Sequence, residues 1–397
     1  MGHDEQPVAS PRLPLEVFEY IIDCAPDKRT CLTCALVCRA FVDASRRRAF
    51  RKIKKRSVQS LWKLRDLLDA PKCTFSRHIH WLALGNLRDV HSSSSPIHCL
   101  RRLPKLATLR IARLGFFQCH SSLVGPLMVL PHLTSLMLQC AGFVTLEIFV
   151  SVLATLPSLI NLSLSGISFH SAMPRPAPTP GILSHLRFLK CDITQSIDLE
   201  TFMTWMVSLP RRPPVAHLDL RLPFPDPSLC ALICDFVNGF SPTLGAMRIN
   251  PGHTQYIPEE YRTLDFTPFE CLRTFTVEPT LHLSDWLVRA KGDRLLDLTI
   301  RGLGAPYMQK VVFLLIVNDG SPPDDAAYPN GPGKWAELDN RIDQLPTMGE
   351  VKFLLSTWPS MQREGGHHEI MLWLRRMLPK TDKRGILQFR LVNSAHG

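Results

Sequence analysis

The chain has 397 residues, is 45% hydrophobic and carries a formal net charge of +11, which suits two or three domains or one small domain followed by a repeat array, and excludes wholesale disorder. The longest apolar run, Val311 to Val317, stops at Asn318-Asp319, far short of a membrane span, and Asp4 and Glu5 stand where a secretory signal would be apolar. A soluble intracellular protein with reduced cysteines is therefore expected, in the cytoplasm, the nucleus or both.

Residues 1–10 read as a disordered N-terminus. Leu13-Pro14-Leu15-Glu16 then opens a helix, because proline at the first helical position loses no hydrogen bond. Phe18 and Ile22 line one face of it, with Val17 and Ile21 beside them. A second helix is predicted from Thr30 to about Arg39, with Cys34, Val37, Cys38 and Phe41 at the i, i+3, i+4, i+7 spacing. A third carries Leu61, Leu64 and Leu68. Three short helices with this much apolar surface need a partner, or the first repeat, to cover them.

These residues resemble an F-box, in the manner of fungal F-box proteins. The resemblance is carried by Leu13, Pro14, Glu16, Ile21, Ile22, Leu36, Val37, Cys38, Arg39 and Phe50, with Phe41 in place of the commoner tryptophan. It covers residues 11–50, within an F-box-like domain drawn at 11–56. The resemblance implies docking on the Skp-type adaptor of a cullin–RING ubiquitin ligase. It implies Leu13 and Pro14 as adaptor contacts, with Ile21, Val37 and Cys38 as further members.

The run from Arg46 to Arg56 carries +8 of the net charge, leaving +3 for the rest of the chain. This is one basic knot on a near-neutral protein. It suits a nuclear import signal or a phosphate-contacting patch. The reading favoured here is a solvated edge in which Ala49, Phe50 and Ile53 pack inward and the cations stay in water. Nucleic acid is not an expected partner, and neither is a membrane.

From residue 57 an apolar-x-x-apolar-x-apolar triplet recurs, at Ile79-Leu82-Leu84, Leu106-Leu109-Ile111, Leu133-Leu136-Leu138, Leu159-Leu162-Leu164 and Leu186-Leu189-Cys191. It continues at Val215-Leu218-Leu220, Leu244-Met247-Ile249, Leu272-Phe275-Val277 and Leu295-Leu298-Ile300. Successive starts lie 23 to 29 residues apart, within the leucine-rich-repeat range. Each triplet predicts a short strand. Helical stretches such as Leu146–Leu156 and Leu199–Leu209 fall between strands and close at Leu-Pro. The fold class is thus α/β: a small helical F-box followed by an irregular solenoid over 57–310, with parallel short strands and helices on the convex side.

Residues 311–397 read as a degenerate repeat and cap. Met348-Val351-Phe353 and Ile386-Phe389-Leu391 are weaker triplets, and Ile370 to Leu378 is amphipathic. The proline-rich stretches 171–181 and 319–334 are predicted loops.

No chemistry is assembled by these motifs. Phosphate-binding glycine loops and a nucleophile elbow are absent, so an enzyme and a cofactor are not expected. Cys31, Cys34 and Cys38 share one helical stripe without a partner pair, which favours packed thiols over zinc. His78 and His80 lack a third ligand. The residues beside the triplets point to the concave surface, where Trp81, Arg110, Phe188 and Arg248 are the candidate anchors for a protein substrate, and where Asp297 and Thr299 are also expected. The function that follows is substrate recognition for a ubiquitin ligase. A repeat scaffold with a diverged F-box, or a nucleic-acid-associated protein using the basic run, are the alternatives.

Overall fold

The computed structural model describes residues 14–85, 96–114, 130–171, 181–222, 227–250, 265–278, 289–317, 333–357 and 366–393. One hydrogen-bond device recurs along it. A carbonyl just ahead of a strand accepts two consecutive N–H groups from the start of the next strand. Arg51 receives His80 and Trp81, His80 receives Ala107 and Thr108, and the pattern repeats at Ala107, Thr134, Ile160, Arg187, Ala216, Gly245, Arg273 and Gln309. The spacing of 26–29 residues is written into the backbone this way, and the steps widen to 36 and 40 residues between Arg273, Gln309 and Gly349.

The strands aligned by these bonds are β1 (Lys52–Lys55), β2 (Trp81–Leu84), β3 (Thr108–Leu114), β4 (Ser135–Thr145), β5 (Asn161–Ser165), β6 (Ser168–Ser171) and β7 (Phe188–Asp192). They continue as β8 (His217–Arg221), β9 (Ala246–Asn250), β10 (Thr274–Val277), β11 (Lys310–Val317), β12 (Glu350–Thr357) and β13 (Leu387–Asn393). Among the described residues all pairings are parallel, and each strand neighbours the next in sequence except β6, which pairs with β4 beside the main path. One strand per repeat is the arrangement of a solenoid.

Alternation along the strands separates two faces. The second triplet residues stack in register as Leu82, Leu109, Leu136, Leu162, Leu189, Leu218 and Met247, all facing inward and buried. The third residues form a parallel row from Leu84 through Cys191 to Val277, and on through Phe313, Phe353 and Phe389. The last three rings stack at 4.8 and 5.9 Å between centroids. Helices cover this side. The helix Leu146–Ala154 buries Leu146, Phe149, Val150 and Leu153, and Ser196–Ser208 buries Phe202, Trp205 and Met206. Their apolar faces and the sheet form one continuous core running from Ile53 to Leu387.

The ninth triplet is corrected. Leu295, Leu298 and Ile300 lie in a helix, Arg289–Gly302, not in a strand. Leu295 and Leu298 are also i and i+3 of a helix, so the triplet alone is ambiguous. The strand follows at β11, where Met308-Val311-Phe313 repeats the triplet on a β-branched and aromatic run. Asp297 and Thr299 therefore leave the open face: Asp297 pairs with Lys334 at 2.6 Å and Thr299 is buried.

Three helices precede β1, and a fourth follows it ahead of β2. They are α1 (Leu15–Asp23), α2 (Lys28–Val37), α3 (Arg39–Phe50) and α4 (Val58–Asp69). The single helix expected through Cys38 is broken there. Asp27 caps the start of α2 by accepting the Thr30 N–H at 2.8 Å, whereas Cys38 is extended and separates α2 from α3. Leu61, Leu64 and Leu68 of α4 face the main core, as their spacing predicts. The basic knot divides between the end of α3 and β1, with Ala49 and Ile53 buried and Phe50 half-buried, so the inward-packing reading holds. β1 is the first strand of the array. The predicted loops lie outside the described residues, save their margins.

Candidate interaction surfaces

The helices α1 to α3 have little interior of their own. Their core is Ala25, Cys31 and Ala49, with Phe50 packed against it. Phe18 meets Phe41 at 5.0 Å between rings, and the trio is fastened to the array by Phe50 stacked on Phe75 and by the Arg77–Asp43 ion pair at 2.6 Å. Ile22 and Ala44 are buried as well, while a set of large apolar side chains faces out. Ile21 is 55% exposed, Val37 69%, Tyr20 71% and Leu36 86%, with Leu15, Val17 and Leu32 also exposed.

Of the expected adaptor contacts, Ile21, Val37 and Cys38 are exposed, and so is Pro14, which caps α1 and whose carbonyl accepts the Val17 N–H at 3.1 Å. Leu13 lies outside the described residues. Leu36 and Tyr20 were not among the expected contacts. Helical spacing identifies an apolar face, but only the packing of α2 against α3 decides which face stays uncovered.

The second surface is the open face of the sheet. One row across it runs Lys52, Trp81, Thr108, Ser135, Asn161, Phe188 and His217. The next contains Arg110, Met137, Ser163, Lys190, Asp219 and Arg248. Of the four candidate anchors, Trp81 and Phe188 are half-buried in the first row, and Arg110 and Arg248 stand in the second. Both arginines are engaged by neighbours. Arg110 donates to the Gln139 side chain at 2.7 Å, and Arg248 pairs with Glu278. Lys190 with Asp219 at 3.4 Å and Arg221 with Asp192 at 3.6 Å continue the same cross-strand pairing. Most of this face is thus electrostatically self-satisfied.

Its first edge is different. A cavity of about 510 Å³ is lined by Arg47, Arg48, Arg51, Lys52, Asp23, His80, Trp81, Ala107 and Thr108. The end of α3 and the start of β1 bring four cations to it from consecutive turns of the chain, and the Arg51 carbonyl fixes them to β2. Burial first, then the Arg51 and Lys105 charges, push the His80 imidazole below its ordinary range, so it is neutral at pH 7. The sequence reading assigned these cations to a solvated edge. The cavity exists because β1 joins the sheet, which no local pattern reveals.

The chain matches no family model and no curated protein. Among solved structures it is similar to the leucine-rich repeat-containing protein LegL7 from Legionella pneumophila, at 14% identity with a TM-score of 0.41, over 84% of this chain and 94% of that one. The repeat architecture rests on the strand ladder described above.

Among the described residues no group of three or more His, Cys, Asp or Glu side chains is placed to hold a metal ion. Cys31 is buried in the small helical core while Cys38 is exposed, which corrects the expectation of a packed thiol there. His78 is buried, 3.5 Å from the Asp43 carboxylate, and burial holds it below its ordinary range. Among the described residues no helix is long and apolar enough to cross a membrane.

Proposed function

We propose that this protein is a non-catalytic receptor subunit that joins an F-box-like helical module to a leucine-rich-repeat-like solenoid. The module docks on a Skp-type adaptor of a cullin–RING ubiquitin ligase, and the open face of the sheet holds a protein substrate. The observation that carries the reading is the apolar face of α1 and α2. A helical trio with a small core, including Ala25, Cys31 and Ala49, leaves Ile21, Leu36 and Val37 in water. Exposed large apolar side chains of this kind are what a protein partner covers. Of these, Ile21 and Val37 are positions that the F-box resemblance assigns to the adaptor.

Co-purification with a Skp-type adaptor tests this, with wild type beside an Ile21→Asp, Val37→Asp variant. Both side chains are exposed, so the variant folds normally. Capture by wild type alone is the expected result. Equal capture of both, or of neither, would leave a repeat scaffold with an unrelated partner.

A further inference from the structure

The two edges of the main sheet differ. β1 opens it with four residues, three of them lysines (Lys52, Lys54 and Lys55), and charges of this kind keep an edge from pairing. β13 closes it with Leu387-Gln388-Phe389-Arg390-Leu391-Val392-Asn393, which pairs along its whole length with β12 and, among the described residues, with no strand on its other side. It has no proline or glycine and a single charge, Arg390.

The Val351 N–H donates to the Ile386 carbonyl at 2.9 Å, which fixes the phase of this parallel ladder. Gln388 and Arg390 therefore turn their backbone groups toward β12, and Leu387, Phe389 and Leu391 turn theirs outward. The side chains of the same three residues continue the inner rows. Leu391 stands in register with Leu355, and through it with Leu315, each 1% exposed, yet is itself 58% exposed. The core is open at this end.

We propose that β13 is a self-association edge. A second copy of this chain pairs with it antiparallel, about a two-fold axis through Phe389, and joins two solenoids tail to tail. In that register Phe389 opposes its own copy and Leu387 opposes Leu391, so all three outward-facing backbone positions become hydrogen-bonded pairs. On the inner side Leu387 of each copy covers the exposed Leu391 of the other. The ring stack of Phe313, Phe353 and Phe389 runs on into the second copy. On the open face Arg390 falls opposite the second copy's Gln388 and not opposite itself. Arg375, whose guanidinium lies 5.6 Å from the Phe389 ring centre, is paired with Asp382 at 2.5 Å and brings no unbalanced charge to the junction. A foreign strand would find the same backbone groups, and self-complementarity at all five positions is what selects a second copy.

One strand edge is smaller than a standard interface of about 1,600 Å², so the dimer is weak and reversible. Sedimentation velocity on the full chain, over roughly 1–100 μM, tests it. The chain carries Leu36→Ser and Val37→Ser, so that the exposed helical face adds no association. The expected result is monomer–dimer exchange that stops at two. Gln388→Glu, which sets a carboxylate against Arg390 twice per dimer, tightens it roughly two- to tenfold, and Gln388→Lys weakens it by a similar factor. Leu391→Pro removes an outward N–H, a change that an edge strand accommodates, and weakens the dimer at least about fivefold. Gln388 is exposed, so its variants serve should the proline variant not fold.

Chains that stay monomeric at every concentration overturn the proposal and leave the edge to a foreign strand. So does a dimer that is no tighter with Gln388→Glu than with Gln388→Lys, or one that keeps its strength in folded Leu391→Pro. Growth past the dimer also overturns it, because that marks a head-to-tail contact. None of these outcomes bears on adaptor capture, from which this inference is independent.

Discussion

The carbonyl of Arg51 accepts the Trp81 N–H at 3.0 Å, so the basic run is bolted to the first aromatic residue of the open face. The same bond makes β1 the opening strand of the array. Ile53 sits in the main core, 7% exposed, whereas Lys54 beside it is exposed. Ile53→Ala should cost about 2–5 kcal/mol in a denaturant titration. Lys54→Ala should change stability by less than about 0.5 kcal/mol. Equal effects would detach β1 from the core.

An uncovered apolar face has a cost of its own. The isolated chain should bind a dye such as ANS and self-associate with rising concentration. Leu36→Ser with Val37→Ser should reduce both, without lowering the unfolding midpoint. Light scattering and fluorescence measure this directly. A variant that unfolds early would place these residues in a core.

The packing of the helix layer is predicted to be unforgiving. Phe149 is fully buried and meets Phe143, Phe169, Phe202 and Trp205 within 6.4 Å between rings. Phe149→Ala should cost about 3–5 kcal/mol. Met137 on the open face is 37% exposed, and Met137→Ala should be near neutral, thermal melts of the two variants giving the comparison.

Thiol chemistry separates the two faces as well. Cys99 is buried and its thiol is pushed up to about 12 by desolvation. Cys191, in the inner row, is raised by burial too. At pH 8 iodoacetamide should label the exposed Cys24, Cys38, Cys140 and Cys271 and spare Cys99 and Cys191 until the chain unfolds. Because the folded value exceeds the ordinary one of 9.0, the contribution of Cys99 to stability is intact below pH 9 and is lost as pH rises toward 12. A melt series from pH 8 to pH 11 checks the sign.

The acid side works the other way. Lys310, then Lys352, hold the Glu350 carboxyl below its ordinary value of 4.5 against a weaker opposing effect of burial. That contribution is present above pH 4.5 and fades as pH falls below it. Glu350→Gln should flatten the acid limb of the stability curve between pH 5 and pH 3. No change in slope would show the pair to be solvent-screened.

Local pattern alone determined the period, the strand triplets from Ile79 to Val277, the buried rows and the helical faces of Phe149 and Trp205. Each of these is a one-dimensional rule: residues two apart share a strand face, and residues three and four apart share a helix face. Where the rule has two solutions it misleads, as at Leu295 and Leu298, which suit a helix as well as a strand. Where the period widens, Met308-Val311-Phe313 reads only as an apolar run. Tertiary structure decided three other matters. It set which apolar residues of α1 and α2 remain in water, because that depends on how α2 lies against α3. It paired Arg110 and Arg248 with neighbours from strands about thirty residues away, a register that no spacing encodes. And it made a cavity out of Arg51 and Lys52, because the charges of a solvated run converge on one point only once β1 takes its place beside β2.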